Sequence, residues 1–235
     1  MEIRGDRRCR DCGARWSYFE TEGIVCPECE SPHSVAAGGE ARLHTDRDVE
    51  IDLTPLRRRA GNEPTEDVTD EIVETCREYI ARRGFVRGGD LLALDDVYLA
   101  VVELRYAAAF YSPRMDETAE SYLLSLLQGA EAGERPESVP APLNPAIALA
   151  RAEAVDTYRR ELVRILEDYE DPALAGACGS LVDHVRRVRA LDGDVPLADT
   201  ERLVTVAREI GSYLNDEDET ALARAQDRLE RLDGG

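Results

Sequence analysis

The chain is 235 residues long, carries a formal net charge of −20, and draws all 29 of its basic residues from arginine. It is long enough for one full domain and a small one, and no stretch approaches the roughly 18 uninterrupted apolar residues of a membrane span; the most apolar run, Leu91 to Tyr111, holds Asp95, Asp96, Glu103 and Arg105. With no signal-peptide pattern after Met1, a soluble cytoplasmic protein is expected, and carboxylates spread along the chain read as adaptation to a halophile's cytoplasm, where about 1 M salt shortens the Debye length to about 3 Å.

The first element in chain order is a pair of cysteine knuckles. Cys9-Arg-Asp-Cys12-Gly13 and Cys26-Pro-Glu-Cys29 are separated by thirteen residues between Cys12 and Cys26. Each C-x-x-C turns tightly and aims two thiolates at one point. Two facing knuckles supply four sulfurs in the tetrahedral arrangement that zinc prefers, at about 2.3 Å. Gly13 suits a positive φ after the first knuckle, and Pro27 pre-sets the second turn. Between them, Ala14 to Val25 reads as a β-hairpin. Trp16 and Tyr18 alternate with Arg15 and Ser17, Glu22-Gly23 supplies a turn, and Ile24-Val25 begins the return strand. A segment this short buries too little surface to fold alone. Metal binding, on the order of 10–16 kcal/mol in zinc-finger peptides, makes up the difference. Residues 1–39 are therefore expected to form a ribbon around one structural Zn²⁺ held by Cys9, Cys12, Cys26 and Cys29. Four protein ligands leave no open position for a catalytic water. Iron in rubredoxin-like knuckles is the alternative metal, although the second knuckle here ends Cys29-Glu30; a redox dithiol is the other alternative. His33 reads as a loop residue.

The run from Arg7 to Ser31, RRCRDCGARWSYFETEGIVCPECES, resembles the zinc-ribbon module of transcription-factor-B-type proteins. The whole chain is similar to haloarchaeal proteins described as transcription-factor-B-type zinc-ribbon-containing, of unknown function. Carried onto this sequence, the resemblance implies zinc on Cys9, Cys12, Cys26 and Cys29.

Residues 40–64 read as a polar linker broken by Pro55, Gly61, Asn62 and Pro64. Within it Val49 to Leu53 alternates like a short strand, and Arg57, Arg58 and Arg59 form a basic triplet. Residues 65–235 read as helical. Thr65 is the expected N-cap of a helix bearing Val68, Ile72, Cys76 and Ile80. Gly84 suits the left-handed C′ position, with Phe85 packed back on Ile80. After a Gly88-Gly89 loop, Asp95 and Asp96 open a helix to Tyr111, and another runs from Asp116 to Gln128. Residues 129–145, rich in Gly, Pro, Ala and Glu, read as a flexible connection or as a boundary between two helical subdomains. Pro145 to Tyr169 is a long helix. The next carries Leu174, Cys178, Leu181, Val185 and Val188, and two more are centred on Leu203 to Leu214 and Leu222 to Leu232. The fold class is mainly α, a small N-terminal β zinc ribbon followed by an all-α domain of about seven helices.

No P-loop, dinucleotide fingerprint, nucleophile elbow or H-E-x-x-H motif is present. The expected function is a non-catalytic interaction or adaptor protein, transcription-associated, whose ribbon offers Trp16, Tyr18 and Phe19 to a protein partner. A second reading is nucleic-acid binding. Arg8 and Arg10, with Arg4, Arg7 and Arg15, would contact phosphates while the aromatics stack on bases; the same arginines would also offset thiolate charge. A third is an enzyme of unknown class built on Asp95, Asp96 and Glu103.

Overall fold

The computed structural model describes residues 1–21, 23–47, 49–166, 171–216 and 218–233. It is mainly helical, with a small strand region at the N-terminus that carries the four clustered cysteines. Strand β1 (Glu2–Ile3) pairs antiparallel with β5 (Arg42–Leu43). Strand β2 (Asp6–Cys9) is the middle of a three-stranded sheet, flanked by β3 (Arg15–Ser17) and β4 (Ser34–Ala36). The first knuckle is thus the tip of the β2–β3 hairpin.

The hairpin expected within Ala14 to Val25 does not form. After β3 the chain enters a single helical turn, α1 (Tyr18–Thr21), and the partner strand comes only after the second knuckle, as β4. Local hydrogen bonding gives the reason. The Ser17 hydroxyl accepts from the Phe19 N–H at 3.2 Å, and the Thr21 hydroxyl donates to the Ser17 carbonyl at 3.1 Å. Such side-chain bonds offer the backbone an alternative to the ladder. Glu22, half of the expected turn, lies outside the described residues, and Ile24 and Val25 are exposed and unpaired with any strand.

Residues 40–64 contribute to the core. Helix α2 (Thr54–Ala60) has a proline in its first turn, where a missing N–H costs nothing. Leu53 and Leu56 are buried in the same cluster as the later helices. The expected strand at Val49 to Leu53 is absent from its described residues; Asp48, just before it, lies outside them. The basic triplet is largely engaged: Arg57 pairs with Glu131 and donates to the Leu127 carbonyl, and Arg59 pairs with Glu63 and Glu71.

The helical body comprises α3 (Thr69–Arg82), α4 (Asp96–Phe110), α5 (Glu117–Gly129), α6 (Asn144–Leu166), α7 (Pro172–Ala190), α8 (Leu197–Asp216) and α9 (Glu219–Asp233). Residues 167–170, the expected end of α6, lie outside the described residues. Helix α4 is buried on nearly every side, from Tyr98 to Leu104 without a break. A helix apolar all round belongs at the centre of a core, and α4 lies between α3 and α6. Helix α6 in turn contacts α7 and α8, and α8 contacts α9. Asp95 and Asp116 cap α4 and α5, each accepting from the N–H three residues on.

Two helix-end expectations are corrected. Thr65 opens a short 3₁₀ turn, and its hydroxyl donates to Glu120 Oε1 at 2.5 Å instead of capping α3. Gly84 is not left-handed. It is required by close approach, since a Cβ there would stand 2.4 Å from the Thr45 carbonyl carbon. Phe85 packs edge-on against Tyr98 and Tyr158, with centroids at 4.8 and 5.0 Å. The Gly88-Gly89 loop is the turn of a small hairpin, β6 (Val86–Arg87) and β7 (Asp90–Leu91), with both glycines at positive φ. Residues 129–145 hold two 3₁₀ turns, with Ala130 and Leu143 buried and Arg135 bonded to Glu103 and Glu201.

Candidate metal centre

Two knuckles of matching construction face each other. In the first, the Cys9 N–H donates to the Ala14 carbonyl at 2.8 Å; in the second, the Cys26 N–H donates to the Ser31 carbonyl at 2.9 Å. Residues just after each second cysteine are left-handed, Gly13 with φ 80° and Glu30 with φ 56°. Glycine adopts this conformation freely, whereas a glutamate there is strained.

The four Sγ atoms lie within 4.8 Å of one another. Cys9 Sγ stands 3.6 Å from Cys29 Sγ, and Cys12 Sγ stands 3.5 Å from Cys26 Sγ. A disulfide would need about 2.05 Å. A tetrahedron of sulfurs at about 2.3 Å from one ion has edges of about 3.8 Å, so the donor set fits one metal ion. Cys9 and Cys26 are buried, while Cys12 and Cys29 are exposed.

The electrostatics of the bare thiols point the same way. Backbone N–H groups of Cys12 and then Asp11 favour the Cys9 thiolate, which is lowered to about 6 against burial. Cys29 moves oppositely. A backbone bond from Ser31 pulls it down, but contact with Cys12, burial, and contacts with Cys26 and Cys9 together push it up to about 12. Four sulfurs this close cannot all ionise unless a cation compensates them. Beside the centre, Ser31 donates to Asp11, whose carboxylate also lies 3.3 Å from His33 Nδ1. His33 thus serves the outer loop, away from the donor set.

The other sequence candidates are placed as follows. Trp16 is half-buried and donates through Nε1 to the Gly23 carbonyl at 3.1 Å. Tyr18 and Phe19 pack on His44, with centroids at 5.7 and 5.4 Å. Phe19 also fills the space beside Gly5 and Gly88, where added Cβ atoms would come within 2.3 and 2.7 Å of its ring. Phe19 thereby joins the ribbon to the turn of the β6–β7 hairpin. Arg8 and Arg10 are exposed. Asp95, Asp96 and Glu103 do not converge: Asp95 caps α4 and pairs with Arg83, Asp96 pairs with Arg208, and Glu103 is buried with Arg135 and Arg151. Cys76 and Cys178 are buried thiols, pushed up to about 12 and about 11 by burial. Sequence reasoning assigned Ile24 and Val25 to a strand; they are instead exposed by 52% and 48% next to the second knuckle. The signal against a strand was the serine and threonine content of Ser17 to Thr21.

Fold and site together define a mainly helical protein with an N-terminal four-cysteine centre able to hold a metal ion. The chain belongs to DUF7117, a family of unknown function, which it matches over residues 1–229. Neither a curated protein nor a solved structure matches it. Among the described residues, no helix is long and apolar enough to cross a membrane.

Proposed function

We propose that this chain is a cytoplasmic, non-catalytic adaptor of the transcription-factor-B-type ribbon kind, in which one structural Zn²⁺ holds the ribbon so that it can dock on a protein partner. The observation that carries the reading is the exposed pair Ile24 and Val25 beside a closed four-sulfur site. Exposed apolar residues on a segment held by hydrogen bonds suit an interface anchor. The segment is fixed because the Gly23 carbonyl accepts from Trp16 and the Ile24 carbonyl accepts from the Ser34 hydroxyl at 2.6 Å. Sulfur donors favour zinc, and a filled set of four serves structure rather than chemistry. The lysine-free, acidic composition supports work at high salt.

The test is affinity purification of the tagged full chain from its own host at native salt, in parallel with Ile24→Ser combined with Val25→Ser. Capture of a defined protein by the parent and its loss in the variant are expected. Equal capture by both would refute the assignment of the anchor.

A further inference from the structure

Strand register gives the ribbon sheet two distinct faces. Arg7 pairs with Trp16 and Ala36, and Cys9 with Ser34, so these side chains share one face. Arg8 pairs with Arg15 on one side and with Val35 on the other. Two guanidinium side chains therefore stand directly opposite each other on the second face, an arrangement that repels; Asp6, paired with Ser17, shares that face, but no ion pair joins it to either arginine among the described residues. Arg10 follows in the knuckle, and Arg8, Arg10 and Arg15 are all exposed.

Among the described residues, none of the ribbon's arginines meets a carboxylate. Most arginines beyond the ribbon do, as Arg83 does with Asp46 and Asp95, Arg135 with Glu103 and Glu201, and Arg228 with Glu209. In a chain with 49 acidic residues, an unpaired arginine face needs a reason. Packing supplies none, because the side chains are exposed. Compensation of thiolate charge does not place Arg8 and Arg15, because Cys9 lies on the opposite face, where Arg7 is bonded to the Ser34 hydroxyl at 2.8 and 3.0 Å.

We infer that Arg8, Arg10 and Arg15 form a docking surface for the sugar–phosphate backbone of a nucleic acid. Each guanidinium fork matches one phosphate bidentately, and phosphates held at Arg8 and Arg15 relieve the repulsion between them. The face lacks a protein-type anchor, since its apolar member, Val35, is half-buried. It also lacks a stacking platform, since Tyr18 and Phe19 are packed on His44. Backbone contact without sequence reading is what remains. At molar salt so few phosphate contacts are weak by themselves, so the surface adds to the contacts of the partner held at Ile24 and Val25. The inference rests on the adaptor reading to that extent.

The test is fluorescence anisotropy of the purified, zinc-loaded full chain with a labelled duplex of about 20 base pairs and arbitrary sequence, titrated from about 50 mM salt upward. Three neutralised phosphates predict a slope of log K against log salt of about −2.7. Arg8→Ala with Arg15→Ala is expected to reduce the slope to about −0.9 and to weaken low-salt binding by about tenfold or more. Arg58→Ala with Arg187→Ala, exposed arginines of the helical body, is expected to leave both unchanged. Arg8→Glu separates binding from structure: it sets an acid opposite Arg15, so the metal-loaded ribbon keeps its zinc and melts no earlier, while duplex binding is lost. No duplex binding by the parent, survival of binding in Arg8→Glu, or displacement of the duplex by polyglutamate as readily as by unlabelled duplex would each overturn the inference. The assay contains no protein partner, so failure of the Ile24 and Val25 variant to lose its partner would refute the adaptor anchor and leave this result standing.

Discussion

The two left-handed positions behind the knuckles offer a matched pair of substitutions. Nothing lies within 4 Å of where a Gly13 Cβ would stand, so Gly13→Ala adds no clash and its whole cost is backbone conformation. At φ 80° that cost is about 1–2 kcal/mol. The ribbon is too small to fold without its ion, so the loss, less about 0.5–1 kcal/mol for the stiffer unfolded chain, appears in metal affinity as a weakening of a few-fold to about tenfold. Glu30→Gly works in reverse. It removes a similar strain at φ 56°, less about 0.5–1 kcal/mol for the freer unfolded chain, and zinc binds a few-fold tighter. Glu30→Gln keeps the strain and removes the charge, so it isolates any repulsion between this carboxylate and the thiolates. The assay is competition for zinc against a chromophoric chelator at fixed pH, because thiol ligands release protons on binding. Unchanged affinity in Gly13→Ala, or weaker binding in Glu30→Gly, would refute the reasoning.

Three further outcomes are expected. Phe19→Ala loses the ring that packs on His44 and fills the space at Gly88; for a half-buried ring this costs about 1–2 kcal/mol, and limited trypsin digestion near Arg42 and Arg47 accelerates while zinc content stays constant. Glu103→Ala strips the carboxylate from the buried Arg151 and from Arg135, costing about 3–5 kcal/mol and lowering the calorimetric Tm by about 10 °C; an unchanged Tm would contradict the buried pairing. The Thr118 hydroxyl and Ala119 N–H lower Asp116, and the Tyr213 hydroxyl and Leu174 N–H lower Asp171, both below the usual 3.8. Depressed folded-state values stabilise above the unfolded pKa and lose that effect as pH falls through them, so the deficit of Asp116→Ala and Asp171→Ala at neutral pH, followed by circular dichroism, shrinks progressively below about pH 3.8.

Periodicity, with capping and breaker residues, located the seven helices α3 to α9, whereas α2 lies in a stretch that reads as a linker. Helices α4 and α5 begin where Asp95 and Asp116 promised capping, because the N-cap signal is written in neighbouring residues. What escaped was non-local. Gly84 reads as a helix stop, but its role is set by Thr45, far away in the chain. Thr65 reads as a cap, but its hydroxyl is taken by Glu120 on α5. At the ribbon, the cysteine cluster was legible because C-x-x-C spacing dictates geometry with little help from the rest of the fold. The aromatics were not. Trp16, Tyr18 and Phe19 look like one exposed set in a strand, yet the turn begun by Ser17 sends Tyr18 and Phe19 to His44 and leaves Ile24 and Val25 exposed instead. The unpaired state of the ribbon's arginines was equally hidden, since ion pairing depends on which carboxylates the fold brings near.

The central claim is that Cys9, Cys12, Cys26 and Cys29 together hold one zinc ion and nothing else coordinates it. X-ray absorption at the metal edge of the full chain purified from its own host tests this most directly. The account predicts a zinc edge, one ion per chain, and four sulfur neighbours at about 2.3 Å with no nitrogen or oxygen among them. An iron edge, or a nitrogen or oxygen neighbour replacing one of the sulfurs, would contradict it.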